Sequence, residues 1–232
     1  MILFDKSNIN TIKRKYDFKL NMRELYHIKR LPEDQIETAS RVAARALHDD
    51  PLSIYYYPDP IERKIKNVTR CKNLILLGIL SGEVYTISGD VQSVAVWNPF
   101  RITDLIKRNQ SKEILRKLRK IRSEIPSDRL FTKRYGIVTE IFNSLHNEHA
   151  NFPHWYLTLI AVDPLHQGKG YASMLLRAKL REIDKQNVPC YLNTQNENNI
   201  PFYEHFGFEL VGKTKVTNSN FYYHGMLRNK KQ

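Results

Sequence analysis

Apolar residues recur along this chain with two periods, and the change from one to the other marks its elements. From Pro32 to Leu47, the residues Ile36, Ala39, Ala43, Ala46 and Leu47 fall on one helical face. Pro32 suits a first turn, and Glu33 and Asp34 favour its positive end. A second helix is predicted over about Ile61 to Leu80, basic at its start and apolar around Leu74 to Leu77. Between the two lies DPLSIYYYPD (50–59), which its prolines mark as a connection. Val84–Ser88 and Val91–Trp97 are β-branched runs split by Gly89-Asp90, a hairpin signal. The run Trp155–Val162, bounded by Pro153 and Pro164, predicts a strand buried on both faces. A helix follows on the stripe Ala172, Leu175, Leu176, Leu180 and Ile183, then a strand at Val188–Leu192. Glu209–Val216 and Asn220–Leu227 read as a last strand pair, and MRELYHIKRL from Met22 as a first strand.

Strands and helices interleaved in this way predict an α/β (α+β) fold, a mixed and mostly antiparallel sheet flanked by helices. Residues 101–150 read as an insertion of two or three helices, broken at Pro126 and placed just before the buried strand. The organisation expected is one domain over 22–232 with an N-terminal extension over 1–21.

Composition narrows the class. With 232 residues, 41% of them hydrophobic, the chain can bury a sizeable core. It has no apolar run of the roughly 18–20 residues that a membrane helix needs, and its start lacks the apolar core of a secretory signal. Cys71 and Cys190 are too few for a disulfide framework or a zinc site, so buried reduced thiols and a cytoplasmic setting are expected. The net charge is +13. Much of it is local, because Arg101–Arg134 holds twelve basic against four acidic residues. Ile114, Leu115, Leu118, Ile121 and Ile125 form the apolar stripe of a helix whose outside is basic. That pattern is a packed helix with a solvated face, or an attractor for an anionic cofactor or an acidic partner. Without an aromatic-interleaved RNA motif or a zinc finger, nucleic acid is not the expected partner.

The candidate chemistry sits after the buried strand. Gln167-Gly168-Lys169-Gly170-Tyr171-Ala172 is a glycine-bearing turn that opens directly into a helix. Free N–H groups of the first helical turn and the positive end of the dipole make such a turn an anion site. It is neither the phosphate loop of nucleotide hydrolases, which ends in Gly-Lys-Ser/Thr, nor a dinucleotide fingerprint. Val162-Asp163-Pro164 precedes it, and Asn199-Ile200-Pro201-Phe202-Tyr203-Glu204 follows downstream. In this order and spacing the segments resemble the GNAT superfamily of acyl-CoA-dependent N-acetyltransferases. Trp155-Tyr156-Leu157, His166-Gln167-Gly168-Lys169-Gly170 and Ala95-Val96-Trp97-Asn98-Pro99 are similar to the puromycin N-acetyltransferase-like group. The likeness covers approximately 23–227. Where that group tends to read Leu-Glu-Thr/Ala-Ser, this chain has Leu192-Asn193-Thr194-Gln195, so neither the base nor the substrate carries over.

The resemblance implies acetyl-CoA as acyl donor, a primary amine as acceptor and no metal; a homodimer is compatible with it. Gln167, Gly168, Lys169, Gly170, Tyr171 and Ala172 would hold the pyrophosphate, with Ile160, Ala161 and Val162 pairing the pantetheine arm through their main chain. Tyr203 would protonate the leaving thiolate, and Asn199 would bind the cofactor arm or cap the short helix. The base is not evident, since 152–162 contains no carboxylate; His154 is the candidate, as base and acceptor contact. Tyr55, Tyr56 and Trp97 are expected either to pack or to wall the acceptor pocket. His146 and His149 do not form a zinc-protease spelling with their neighbours. Three readings remain: a small-molecule amine N-acetyltransferase, the same chemistry on a protein N-terminus or lysine, or a non-catalytic module that binds coenzyme A or nucleic acid.

Overall fold

A computed structural model describes residues 28–87, 89–102, 116, 119–120, 123 and 128–230. The N-terminal extension and the apolar stripe of Ile114, Leu115, Leu118, Ile121 and Ile125 lie outside the described residues. Seven strands form one sheet, in the order β1 (Ile28–Arg30), β2 (Glu83–Ile87), β3 (Ser93–Phe100), β4 (His154–Val162), β5 (Cys190–Thr194), β7 (Tyr222–Arg228) and β6 (Glu209–Lys215). β4 and β5 are parallel and all other neighbours antiparallel. The mixed, mostly antiparallel sheet flanked by helices is the architecture expected.

One face carries α1 (Ile36–Ala46) and α3 (Pro60–Ser81). Ala39, Val42 and Ala43 of α1, with Cys71 and Ile75 of α3, bury against Val84, Val94, Val96, Leu159 and Ala161 of the sheet. The helix α3 lies so close to β2 and β3 that a Cβ at Gly78 would collide with Val84 and Val96. The other face carries α5 (Tyr171–Gln186), whose Leu175, Leu176, Leu180 and Ile183 bury against Trp97, Trp155, Leu157 and Leu192. A third cluster lies between α2 (Pro51–Tyr56), α4 (Arg129–His149) and Tyr223 of β7, built on Tyr55, Tyr56, Tyr57, Phe131, Val138 and Leu145. Asp128 caps α4, accepting from Phe131 N at 2.7 Å, and receives Lys66 of α3 at 3.2 Å.

Two readings change in the fold. Residues 50–59 contain a helix, because Asp50 accepts from Leu52 N at 2.9 Å and Pro51 occupies the first helical position. The prolines there start α2 and α3 rather than break them. Nor is β4 buried throughout. Tyr156, Thr158, Ile160 and Val162 are half-buried, because the strand borders a cavity.

The cause is in the pairing. Trp97 of β3 faces Leu157, and Val96 faces Leu159, so Thr158 is an extra residue, a β-bulge. One inserted residue shifts the side-chain alternation. Trp155 and Leu157 therefore pack toward α5, whereas Leu159 and Ala161 pack toward α1 and α3. On its other edge β4 pairs with β5 at Trp155, Tyr156 and Leu157, and beyond Leu157 that ladder stops.

Candidate functional site

A cavity of about 770 Å³ lies where β4 parts from β5. Leu157 to Ile160 of β4 and Asn193 to Gln195 at the end of β5 form its floor. The helix α4 turns Phe131, Tyr135, Thr139, Phe142 and Asn143 toward it, positions three to four apart on one helical face. Arg70, Asn73 and Leu74 of α3 form another wall, and Leu47, Asp50 and Tyr56 from the α1–α2 junction close it. α6 (Ile200–Glu204) contributes Tyr203, with Asn199 just before it. Polar groups thus converge from six segments on an aromatic-walled space, the usual form of a small-molecule site.

Asp50 brings a carboxylate to the cavity from a segment that the sequence marked only as a connection. It also caps α2. Burial raises its pKa above the ordinary carboxylate value, against the pull of the Leu52 amide and the charge of Arg70. Tyr203 is 7% exposed. Burial pushes its hydroxyl well above the usual phenol range, and the charge of Asp50 adds to that rise. The two groups therefore feel each other across one cavity. At the floor Tyr156 Oη donates to Asn193 Oδ1 at 3.2 Å, and Asn193 Nδ2 reaches His224 O at 3.1 Å. These bonds hold the end of β5 in place although β4 has left it.

The candidate cofactor loop runs from the end of β4. Gln167 Nε2 donates to Val162 O at 3.3 Å. Gly168 and Gly170 take φ of 79° and 81°, the left-handed region that favours glycine. An added Cβ at either would meet nothing within 4 Å, so the space over the loop is open. Gly170 is the N-cap of α5 and makes no side-chain cap bond, leaving first-turn amides free at the positive end of the helix. Lys169 is exposed, and Tyr171 and Ala172 are half-buried. Asp163, 6% exposed, anchors the turn. It accepts from Leu165 N at 3.1 Å and pairs with Arg45 of α1. Burial alone would raise its pKa, but the Arg45 bond, the Leu165 amide and the nearby positive charge together outweigh that and hold it below the carboxylate range. An anionic, extended donor fits these features: open amides at the loop and an unpaired β4 edge beyond Leu157.

The remaining sequence candidates divide. Ile160 lines the cavity, Ala161 turns into the α1–α3 core, and Val162 is half-buried beside the loop. Asn199 also lines the cavity and makes no side-chain cap bond; the cap upstream is Asn196, which accepts from Asn198 N at 3.1 Å. Tyr56 lines the cavity, while Tyr55 is outside its lining and donates to Thr217 O at 3.0 Å. Trp97 is fully buried among the α5-side core residues.

His154 is also fully buried and does not line the cavity. Its Nδ1 lies 2.7 Å from Phe152 O, and its ring packs on Phe100 and His146. Burial lowers its pKa, outweighing that bond. Burial, then the charges of His154 and Arg101, lowers His146 to about 4. The structure thus places the histidine candidate in the core at the opposite end of β4 from the cofactor loop. The nine-residue length of β4 sets that separation. Among the described residues no group of three or more His, Cys, Asp or Glu gathers as a metal site. Cys71 and Cys190 are buried and free.

Comparison with known proteins bears on the same elements. Residues 133–210, from α4 through the start of β6, match the family model of the acetyltransferase (GNAT) domain. An uncharacterized N-acetyltransferase of Schizosaccharomyces pombe is 25% identical over 199 residues, spanning 83% of this chain and 78% of that protein. Among solved structures, histone acetyltransferase HPA2 and related acetyltransferase from Corynebacterium glutamicum superposes with a TM-score of 0.62 at 17% identity, over 89% of this chain and 97% of the other. Arylalkylamine N-acetyltransferase 2 from Aedes aegypti gives 0.58 at 13% identity, over 88% and 98%. At such identities these two likenesses concern the fold. It is the GNAT fold.

Proposed function

With the premise that this chain carries a GNAT acetyltransferase domain and is an N-acetyltransferase, we propose that it moves an acetyl group from acetyl-CoA to the primary amine of a small molecule. The carrying observation is that Asp50 and Tyr203 face one cavity beside the unpaired half of β4. Gln167–Ala172 would hold the pyrophosphate by backbone amides, and the open edge of Ile160–Val162 would take the pantetheine arm. Acetyl-CoA supplies an activated acetyl thioester.

The chain's own groups then divide the proton work. Asp50 takes the proton of the acceptor ammonium, so that a neutral amine attacks. Its raised pKa moves it toward the operating range of a general base. Peptide N–H groups at the bulged, unpaired stretch of β4 are donors for negative charge that develops on the carbonyl oxygen. Tyr203, kept protonated by burial, gives its proton to the departing sulfur and regains one from the acylated nitrogen as the amide forms. In this reading Asp50 replaces His154 as base.

The aromatic wall from Tyr56, Phe131, Tyr135 and Phe142 supports an acceptor with a flat apolar body. Walls from three helices favour a small molecule over a protein N-terminus or lysine. The segments quoted above keep the puromycin N-acetyltransferase-like group as the nearest subgroup in this reading, without puromycin itself as the substrate. Release of free thiol from acetyl-CoA, measured across a panel of small amines, tests the proposal. Turnover on aromatic amines, lost in Asp50→Asn, is expected. Binding of acetyl-CoA with no turnover on any small amine would overturn it.

A further inference from the structure

The cavity that carries Asp50 also carries Arg70, which the acid–base chemistry leaves unused. Arg70 projects from the middle of α3, and its head is fixed. Nε donates to Asn67 Oδ1 at 3.1 Å and Nη2 to Ser53 Oγ at 3.0 Å. Both anchors are fully buried. The guanidinium also lies 5.8 Å from the centroid of the Tyr56 ring. These bonds use two of its five N–H donors. Among the described residues no carboxylate lies within ion-pair distance of it, so its charge is positioned without being neutralised by contact. Asp50 is near enough to feel that charge, yet it forms no ion pair with Arg70. The wall therefore holds a carboxylate and a guanidinium side by side and unjoined.

Resting on the proposed amine acetylation, we infer that the acceptor carries an anionic group next to its amine, and that Arg70 reads that group: the acceptor class is an aromatic α-amino acid. A plain arylalkylammonium gains attraction from Asp50 and loses much of it to Arg70. A zwitterion gains from both, since its ammonium meets Asp50 while its carboxylate meets the planar fork that suits carboxylate geometry. The fork costs little to order, because Ser53 and Asn67 already hold it. Tyr56, Phe131, Tyr135 and Phe142 then receive the ring. Arg70 is a specificity residue in this account. It touches the acceptor and moves no proton.

The test compares tyrosine with tyramine, which differ by the carboxylate alone, in wild-type protein and in Arg70→Met and Arg70→Lys, with thiol release as readout. A charge-assisted hydrogen bond corresponds to roughly tenfold to hundredfold in selectivity. The expected result is a kcat/KM for tyrosine higher than for tyramine by that factor, carried mainly in KM. The ratio should collapse in Arg70→Met and be partly kept in Arg70→Lys. Calorimetric binding of acetyl-CoA by each variant reports that the fold is intact. Equal or better use of tyramine by the wild-type protein overturns the Arg70 inference and leaves the amine reading standing. No turnover of either compound, with acetyl-CoA still bound, overturns the Arg70 inference, and the amine panel then decides the amine reading.

Discussion

The two halves of β4 have nearly the same apolar composition and opposite fates. From Trp155 to Leu157 the strand is paired on both edges, and His154 and Trp155 are buried in closed packing. From Thr158 to Val162 it is paired with β3 alone, and its free edge borders a cavity of about 770 Å³. The divider is the single extra residue at Thr158. It sends Leu157 and Leu159 to opposite faces, and the β5 ladder ends at the same place. A continuous apolar run therefore conceals a boundary between a strand paired on both edges and one that borders a cavity. On the closed half a polar side chain such as His154 is a core group; on the open half even a main-chain amide is available to a ligand.

The largest effect is expected at Asp50. If the open half hosts the chemistry, Asp50→Asn lowers kcat/KM by about 10²–10⁴-fold while acetyl-CoA affinity holds. The wild-type profile of kcat/KM should rise with pH through the raised pKa of Asp50, because the ionised carboxylate is the active base. In Asp50→Asn that limb should vanish, and steady-state rates across pH would show whether it does. Tyr203→Phe comes next, with kcat expected to fall about a hundredfold. Calorimetry would show whether cofactor binding is retained, as a role confined to the leaving thiolate requires.

Smaller effects sharpen the contrast from the closed half. His154→Asn should leave kcat within about threefold of wild type and cost about 1–2 kcal/mol in denaturant unfolding, from lost ring packing. A collapse of activity without loss of stability would return His154 to the mechanism. The smallest effect is expected at Arg45→Met. The partner Asp163 has a pKa below its unfolded value, so the pair's stability is present above the ordinary carboxylate range and is lost as pH falls through the lowered pKa. Arg45 is half-exposed, which limits the loss to less than about 1 kcal/mol. The sharper readout is an increased KM for acetyl-CoA, since Asp163 anchors the turn into the cofactor loop.

Elements with local signals were legible in the sequence. Helices α1, α3 and α5, the β2–β3 hairpin, β4 and the strand pair β6–β7 all follow from periodicity and turn residues. So does the left-handed turn at Gly168 and Gly170. Each of these rests on neighbours a few positions apart. The candidate site was legible in part: Tyr203, Asn199 and Ile160 do line the cavity, whereas His154, Trp97 and Tyr55 do not. Tyr55 was missed because it lies on a helix whose facing partners, Thr217 and Phe221, are distant in sequence, and the two strand residues were missed for a different reason. An aromatic or a histidine in an apolar run carries no mark of which face it will take once a bulge has shifted the alternation.

By itself, then, the sequence determined the order of strands and helices and the glycine turn at the start of α5, because hydrophobic period, caps and left-handed turns are short-range preferences. Only the tertiary structure decided where the β4–β5 ladder stops, that Thr158 is the extra residue, and that Asp50 from the α1–α2 junction meets Tyr203 and Arg70 in one cavity. Those facts depend on pairing and packing between segments far apart in the chain, and no local preference encodes which distant partner a strand edge or a carboxylate will meet.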